Sequence, residues 1–577
     1  MNAKPRLVIG RLVMVGALVV AGLRLVDVQG IQASALSMKA EQQLQTKIFL
    51  PASRGTITDR NGGQLAFSVD SKALYAQPAR MRKDWATTAT THPGVSYEQY
   101  TQQIVDRMTQ LLGSAVDGQT LLNQLRSTAT FTYLDKVVDP GIAAQITAAF
   151  PEIGAEDRSQ REYPNGSVAA NVVGVANWRD ATSTAPGEVG GLTGLENSMN
   201  AQLAGRPGSE LVDTQQGNDQ VIIPGSERDV HPAVAGANVQ LTIDTDVQFE
   251  VQQLLAQYVA KTGAKDGTAV VMDAHTGQVY ALADDNTFDP NNLAAATSAD
   301  VGDQAVTTPY EPGSVGKIVT MAAALDAGLV TPQTVINVPG SLQVADRTIT
   351  DDWSHPDEGF TVAGVFAKSS NIGTVEIAQK VGPTNFYQMM MKMGLGQRTG
   401  IGLSGESPGY VPAINTWSGS TFGNLPFGQG YSVTVLQMAS MYQAIANGGV
   451  RVPPRIIQSV TQPDGTVVTT PQPAGVRVVS QQTASTLLGM MRWVTQKAPS
   501  PNEGTGVSAA LPGYQIAGKT GTAQQVDPTC GCYSHSKDTV TFSGILSAEN
   551  PKFVVGIMLD APANGAESAG TAAPLFH

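Results

Sequence analysis

Tyr310-Glu311-Pro312-Gly313-Ser314-Val315-Gly316-Lys317-Ile318-Val319-Thr320-Met321-Ala322-Ala323-Ala324-Leu325 joins a Pro-Gly turn to a run that is apolar almost all round. Such a run, here Val315 to Leu329, predicts a helix buried inside a domain. Ser314 then stands at the positive end of the helix dipole. Lys317, three residues on, shares its face, and partial burial there depresses an amine pKa. A hydroxyl beside a neutral amine is a nucleophile with its base. Alone the pattern is weak, since Ser314 also reads as a plain N-cap and Ser534 with Lys537 repeats the spacing.

Two further polar clusters follow. Ser369-Ser370-Asn371 is an S-x-N pattern that fits either a proton-relaying serine with an amide-holding asparagine or a polar turn. Ser198-Met199-Asn200 and Ser500-Pro501-Asn502 match it too. Lys519-Thr520-Gly521-Thr522 is expected on an edge strand, where the backbone offers hydrogen bonds to an extended peptide and Lys519 offers charge. Lys261-Thr262-Gly263 is set aside, because it ends an amphipathic helix and Gly263 reads as its C′ residue. Order and spacing separate the three clusters from their decoys: Ser369 lies 55 residues after Ser314, and Lys519 a further 150.

Outward from this core, Thr268–Asp273 and Gln278–Ala283 predict a hairpin after a helix over Asp246–Tyr258, an α+β pattern. Leu436–Ala446 is a second buried helix, and Thr539–Leu546 and Lys552–Leu559 are closing strands. The texture changes near Asn238. Before it, Arg54-Gly55-Thr56-Ile57 leads into a Gly-rich turn at Asp59-Arg60-Asn61-Gly62-Gly63. Helices are predicted over Ser96–Leu112, Gly118–Leu125 and Pro140–Ala149, inside a module otherwise broken, extended and β-rich. Residues 31 to about 50 are read as a helix or stalk ended by Pro51. Three parts result: 1–30, 31–235 and 236–577.

The chain has 577 residues, 60 of them glycine and 33 proline, with 42% hydrophobic and 15% charged positions. That excludes collagen and disulfide-stapled mini-proteins and describes a loop-rich globular protein of several domains. A net charge of −12 argues against a nucleic-acid partner. No HExxH pair occurs, and Cys530 and Cys532 are the only cysteines. They form a disulfide, stay free, or join Asp527 and His535 at a metal. At the N-terminus Lys4, Arg6 and Arg11 precede an apolar run from Leu12 to Leu23. Leu7 to Val28 is just long enough to cross a bilayer, with Arg11 and Arg24 snorkelling. A retained anchor with a cytoplasmic N-terminus is favoured over a signal peptide cleaved near Ala33-Ser34-Ala35 and over a buried core helix. All that follows residue 30 is then extracytoplasmic.

S-x-x-K, S-x-N and K-T-G in this order resemble the motif set of β-lactamases and penicillin-binding proteins. Arg54-Gly55-Thr56-Ile57, Asp59-Arg60-Asn61-Gly62, Arg161-Glu162-Tyr163-Pro164 and Gly194-Leu195-Glu196 resemble the N-terminal module of class B, monofunctional penicillin-binding proteins. Tyr310-Glu311-Pro312-Gly313-Ser314 and Gly428-Gln429-Gly430-Tyr431-Ser432-Val433-Thr434 resemble their transpeptidase domain, and within the class the chain is most similar to actinobacterial division-specific septal transpeptidases. The resemblance implies an anchor helix, a dimerisation or pedestal module, and an antiparallel sheet flanked by helices. Serine D,D-transpeptidation of D-Ala-D-Ala stem peptides, without metal or cofactor and inhibited by β-lactams, is the activity implied. A D,D-carboxypeptidase, a β-lactamase and a non-catalytic scaffold are the alternatives.

The same resemblance makes Ser314 the nucleophile, Lys317 its base, and Ser369 with Lys519 the relay to the leaving amine. Asn371 holds the donor amide. Lys519, Thr520 and Thr522 around Gly521 take the terminal carboxylate, and the amides of Ser314 and Thr522 form the oxyanion hole. A membrane-embedded glycan polymerase and other division proteins are the implied partners. Many relatives carry a bulky residue where Gly316 stands, which implies relaxed or compensated packing, and relatives usually continue for another helix past the position of Phe576, so the resemblance implies a truncated chain or a short natural terminus at His577.

Overall fold

The computed structural model describes residues 3–32, 34, 45–180, 187–215, 218–223, 225–298, 300–498, 503–527, 529–563 and 570–577. The elements used below are, in chain order, α1 (Ala3–Val26), β1 (Gln45–Leu50), β2 (Ile57–Thr58), β3 (Gln64–Ala76), α2 (Tyr97–Leu112), α3 (Gly118–Leu125), β4 (Thr132–Val138), α4 (Pro140–Ala149), β5 (Ile153–Glu162), β6 (Gly208–Gln215), β7 (Arg228–His231) and β8 (Asn238–Leu241). Then come α5 (Thr245–Thr262), β9 (Asp266–Asp273), β10 (Val279–Asp284), α6 (Lys317–Asp326), α7 (Val362–Ala367), α8 (Asn371–Val381), α9 (Val435–Ala446), β11 (Ile457–Thr461), α10 (Gln481–Thr495), β12 (Ala517–Asp527), β13 (Cys532–Leu546) and β14 (Phe553–Asp560).

α1 projects its apolar side chains into solvent rather than onto the protein. The span Leu7–Gly30 has a mean hydropathy of 2.0 and none of it is buried. Water exposure on that scale is unfavourable, so the helix needs an apolar medium. A core helix is thereby excluded. Ala33 and Ala35, of the alternative cleavage site, lie outside the described residues.

The helix or stalk expected over residues 31–50 is corrected in its last third, 35–44 being outside the described residues. Gln45–Leu50 is a strand, paired antiparallel with β6 from Gln45↔Asp213 to Leu50↔Gly208. β7 pairs with the other side of β6. The partner is some 160 residues away, and no local pattern announces it.

The predicted helices of the N-terminal module form where expected. Ser96 caps α2 in a reciprocal capping box with Gln99, and Asp117 and Asp139 cap α3 and α4. They enclose a core of their own, with Tyr100, Ile104, Met108, Leu121, Leu125 and Ile146 packed on Leu74 and Ile153 of the β3–β5 sheet.

β8 joins this module to the rest. It pairs parallel with β2 and antiparallel with β11, so one sheet runs β11-β8-β2-β3-β4. A single core also crosses the junction, placing Ile57, Leu65 and Leu195 with Val270, Ile318 and Val435. Beyond it stands an antiparallel five-stranded sheet in the order β10-β9-β14-β13-β12. The expected hairpin, closing strands and buried helices all lie here. Every residue of α9 is buried, and so are Lys317 through Ala324 of α6. α6 starts two residues later than expected, after a 3₁₀ turn at Gly313–Gly316, and stops at Asp326 before Gly328 at φ +67°.

Candidate active site

Ser314 sits in the 3₁₀ turn that opens α6, against the edge strand β12. The Ser314 turn is held from both sides. Tyr310 N donates to Val433 O at 2.9 Å, Val433 N to Tyr310 O at 2.8 Å, and Gly313 N to Gly428 O at 3.0 Å. A Cβ on Gly428, itself at φ +94°, would lie 1.8 Å from Gly313 O, so only glycine permits the approach. Gly521 meets the other side: a Cβ there would lie 3.0 Å from Pro312 O and 3.1 Å from Val315 Cγ1. The K-T-G glycine therefore lets the turn rest on the strand.

Lys317 and Lys519, fully buried, converge on one hydroxyl. Lys317 Nζ donates to Ser369 Oγ at 3.0 Å, to Asn371 Oδ1 at 2.7 Å, and to Ser369 O. Lys519 Nζ donates to the same Ser369 Oγ at 2.9 Å and to Thr520 O at 2.9 Å. With two N–H groups aimed at its oxygen, the Ser369 proton is left free to point elsewhere. Burial lowers the Lys317 pKa to about 8, against partial support from the charges of Asp352 and Asp351. Burial, then the neighbouring Lys317, pushes Lys519 well below the ordinary lysine range. Ser314 Oγ is half-buried and takes no hydrogen-bond partner among the described residues.

Backbone geometry aims Ser369. α7 ends in a Schellman motif, with Ser369 N on Phe366 O at 3.2 Å and Ser370 N on Val365 O at 2.9 Å. Ser369 takes the C′ position at φ +62°, which favours glycine. A side chain held there is a strained arrangement of the kind that gathers at functional sites. Ser370, next in line, caps α8 through Gly373 N at 2.9 Å.

Asp351 is the residue that sequence reasoning missed. Buried, it accepts Ser370 Oγ at 2.6 Å, Asn371 N at 2.5 Å, Ile372 N at 3.0 Å and His355 Nε2 at 3.1 Å. It thus satisfies the orphan amides that begin α8 and fixes Asn371. No motif marks it, and the α8 N-terminus was the single available signal. Gly316 also has an explanation: a Cβ there would lie 2.2 Å from the Tyr431 hydroxyl, so the buried Tyr431 ring fills the space a larger residue would need.

Strand alternation divides the K-T-G-T residues. Lys519 and Gly521 face the Ser314 turn. Thr520 Oγ1 instead contacts Thr505 Oγ1 at 2.6 Å, and Thr522 Oγ1 is buried with no hydrogen-bond partner among the described residues. The Thr522 backbone is close to the turn, since a Cβ on Gly313 would lie 2.4 Å from Thr522 O.

The decoys disperse. Ser534 accepts amides of its own exposed turn, Asn200 accepts Arg54 Nη1 at 2.7 Å, and Gly263 closes α5 at φ +64°. Ser500-Pro501-Asn502 lies outside the described residues. Cys530 and Cys532 are joined by a disulfide at the β12–β13 turn. Among the described residues no three His, Cys, Asp or Glu side chains are grouped to hold a metal.

The N-terminal motifs, spread over 143 residues, meet at one buried carboxylate. Glu196 accepts Arg54 Nε at 2.5 Å and Arg161 Nε at 2.7 Å, with all three side chains essentially unexposed. Tyr163 Oη adds a 3.4 Å contact.

Residues 267–577 match the penicillin binding protein transpeptidase domain, and residues 49–241 match the penicillin-binding protein dimerisation domain. The chain is 47% identical to penicillin-binding protein PbpB of Mycolicibacterium smegmatis over 98% of this chain and 88% of that protein. It is 31% identical to the peptidoglycan D,D-transpeptidase FtsI of Escherichia coli over 91% of this chain and 82% of that protein. The crystal structure of penicillin binding protein 3 from Mycobacterium tuberculosis complexed with aztreonam superposes with a TM-score of 0.70 at 42% identity, covering 92% of this chain and 95% of that one. A buried lysine–serine–lysine cluster behind an apolar helix, both domains in this order, and a relative nearly half identical from end to end place the chain among the class B penicillin-binding proteins.

Proposed function

We propose that the protein cross-links peptidoglycan as a serine D,D-transpeptidase of the septal type. The observation that carries this reading is the convergence of Lys317 and Lys519 on Ser369 Oγ beside the Ser314 turn. Lys317, once it has lost a proton and with it one of its three donated hydrogen bonds, has a lone pair free and takes the Ser314 proton as Oγ attacks the carbonyl of the penultimate D-alanine. The amides of Ser314 and Thr522 hold the oxyanion, a contribution worth about 100-fold in rate per donor. Ser369, oriented by both lysines, passes a proton to the departing D-alanine amine, and Asn371 holds the donor amide. Lys519, with the Thr520–Gly521–Thr522 strand, receives the terminal carboxylate. An amine of a neighbouring stem peptide then attacks the acyl-enzyme, restoring Ser314 and forming the cross-link. A β-lactam enters by the same attack, and its acyl-enzyme lacks a leaving group that diffuses away.

The unpacked α1, with Lys4, Arg6 and Arg11 ahead of its apolar run, supports a single-pass anchor with a cytoplasmic N-terminus and an extracytoplasmic catalytic part. Residues 1–30, 31–235 and 236–577 serve as anchor, pedestal and catalyst. The partners are a membrane-embedded glycan polymerase at α1 and division proteins on the pedestal; co-purification of the intact chain from membranes recovers the polymerase, and its absence counts against that part.

Intact-mass spectrometry after incubation with benzylpenicillin tests the chemistry. One persistent adduct, missing in Ser314→Ala, is expected. An adduct that vanishes as drug is hydrolysed turns the reading to a β-lactamase, and no adduct in folded protein turns it to a scaffold.

A further inference from the structure

The β12–β13 hairpin reaches back over the Ser314 turn through one acid. Tyr533 Oη donates to Glu311 Oε2 at 3.0 Å and lies 3.2 Å from Oε1, and Gly430 N donates to Oε1 at 3.1 Å. Glu311 is three residues before Ser314. It therefore ties together the segment that carries the nucleophile, the 428–433 loop on one side of it and the hairpin on the other. The Tyr310–Val433 and Gly313–Gly428 hydrogen bonds already lace the first two, and Glu311 adds the third.

Tyr533 stands at the hairpin's end, where its placement is controlled by few contacts. Val526↔Tyr533 and Asp527↔Cys532 are the last pairs of the ladder, which is interrupted between Gln524 and Val526. Beyond them the turn is closed by Gly531 N on Asp527 O at 2.8 Å, Thr529 N on Asp527 Oδ1 at 2.8 Å, and the Cys530–Cys532 disulfide. The disulfide sits directly before Tyr533 in the chain. With the ladder irregular between Gln524 and Val526, this small covalent ring and the two terminal ladder pairs together hold the backbone from which the tyrosine side chain leaves.

We infer that Glu311 is a positioning residue for Ser314, latched by Tyr533, and that the Cys530–Cys532 bridge holds the latch in place. The inference rests on Ser314 being the acylated nucleophile. Its consequence is a fault confined to the chemical step: with the latch lost, the Ser314 turn samples orientations in which its Oγ and amide are misaligned, while ligand still enters the cleft. Small displacements of this kind are costly to a reaction that depends on near-attack geometry.

The test uses the full-length chain in detergent and a fluorescent penicillin, with saturation kinetics that separate the acylation rate constant from the preceding Kd. Tyr533→Phe, Glu311→Gln, Glu311→Ala and Cys530→Ser/Cys532→Ser are compared, with the Tm of each measured. Tyr533→Phe is expected to lower the rate constant about tenfold, the scale of one hydrogen bond to a charged group, with Kd within about twofold. Glu311→Gln, which keeps an acceptor oxygen, retains more activity than Glu311→Ala. In the Tyr533→Phe background the cysteine substitutions have no further effect, because the latch they support is already gone. An unchanged rate constant in Tyr533→Phe overturns the inference, as do effects of the tyrosine and cysteine changes that simply multiply, or losses that track Tm. Failure of the unsubstituted chain to acylate removes the functional reading itself, and this inference with it.

Discussion

Raising the pH should switch on acylation of Ser314 with the titration of Lys317, and the curve should level off. Burial moves that amine from 10.5 to about 8, so the neutral fraction is about 3% at pH 6.5 and about 90% at pH 9. A base of ordinary pKa would be only about 3% neutral at pH 9 and still gaining tenfold per unit. The rate constant for acylation of the full-length chain by a fluorescent penicillin, measured from pH 6 to 9.5 against a control for drug hydrolysis, is thus expected to rise about 100-fold and plateau. Lys519 lies within the same cluster, so the inflection belongs to the pair. A rate flat from pH 6 to 9 refutes a base that titrates near 8, and one that climbs log-linearly beyond pH 9.5 assigns the base an ordinary value. Stability carries the same signature. Because the folded pKa lies below the unfolded one, the unfolded chain binds the proton more tightly, and stability rises with pH between about 8 and 10.5. The full change is about 3 kcal/mol for this group, with the penalty fully present below pH 8.

Ser369→Ala removes the one oxygen on which both lysines converge, and is expected to slow acylation by about 100-fold or more while leaving Tm within a few degrees; stopped-flow acylation and thermal melts read the two effects. Glu196→Ala leaves two buried guanidinium groups without their carboxylate and is expected to cost about 3–5 kcal/mol, seen in urea titration of the soluble part. Replacing Glu196 by Gln should recover part of that loss, because the amide oxygen still accepts one guanidinium.

How much of this could be read beforehand depended on the range of the interaction. Helices α2, α3 and α4 were legible because caps and apolar spacing lie within a few residues of each other, and the α6 run was legible for the same reason. The three-residue spacing of Ser314 and Lys317 was legible in the same way, but not that Lys317 Nζ would turn to Ser369 and Asn371. Decoys could be discounted by order, yet the structure supplied the reason, since Gly263 only closes α5 and Asn200 only serves Arg54. β1 was misread because its pairing with β6 is non-local. Asp351 left no trace, because a lone aspartate far from the motif has no pattern until α8 turns its first amides toward it.

The sequence by itself determined the chemical inventory: a serine and a lysine three residues apart, an S-x-N turn, a K-T-G strand at a sheet edge, and an apolar span at the N-terminus. Tertiary structure alone decided that Lys317 and Lys519 would share Ser369, that Ser369 would occupy a left-handed C′ position, and that arginines 54 and 161 would meet on Glu196. Local propensity reaches a turn or two along the chain. Contacts across 52, 150 and 142 residues form only when the packing of the core and the closing of the sheets bring those segments together, so they exist as a property of the fold and of no shorter piece of it.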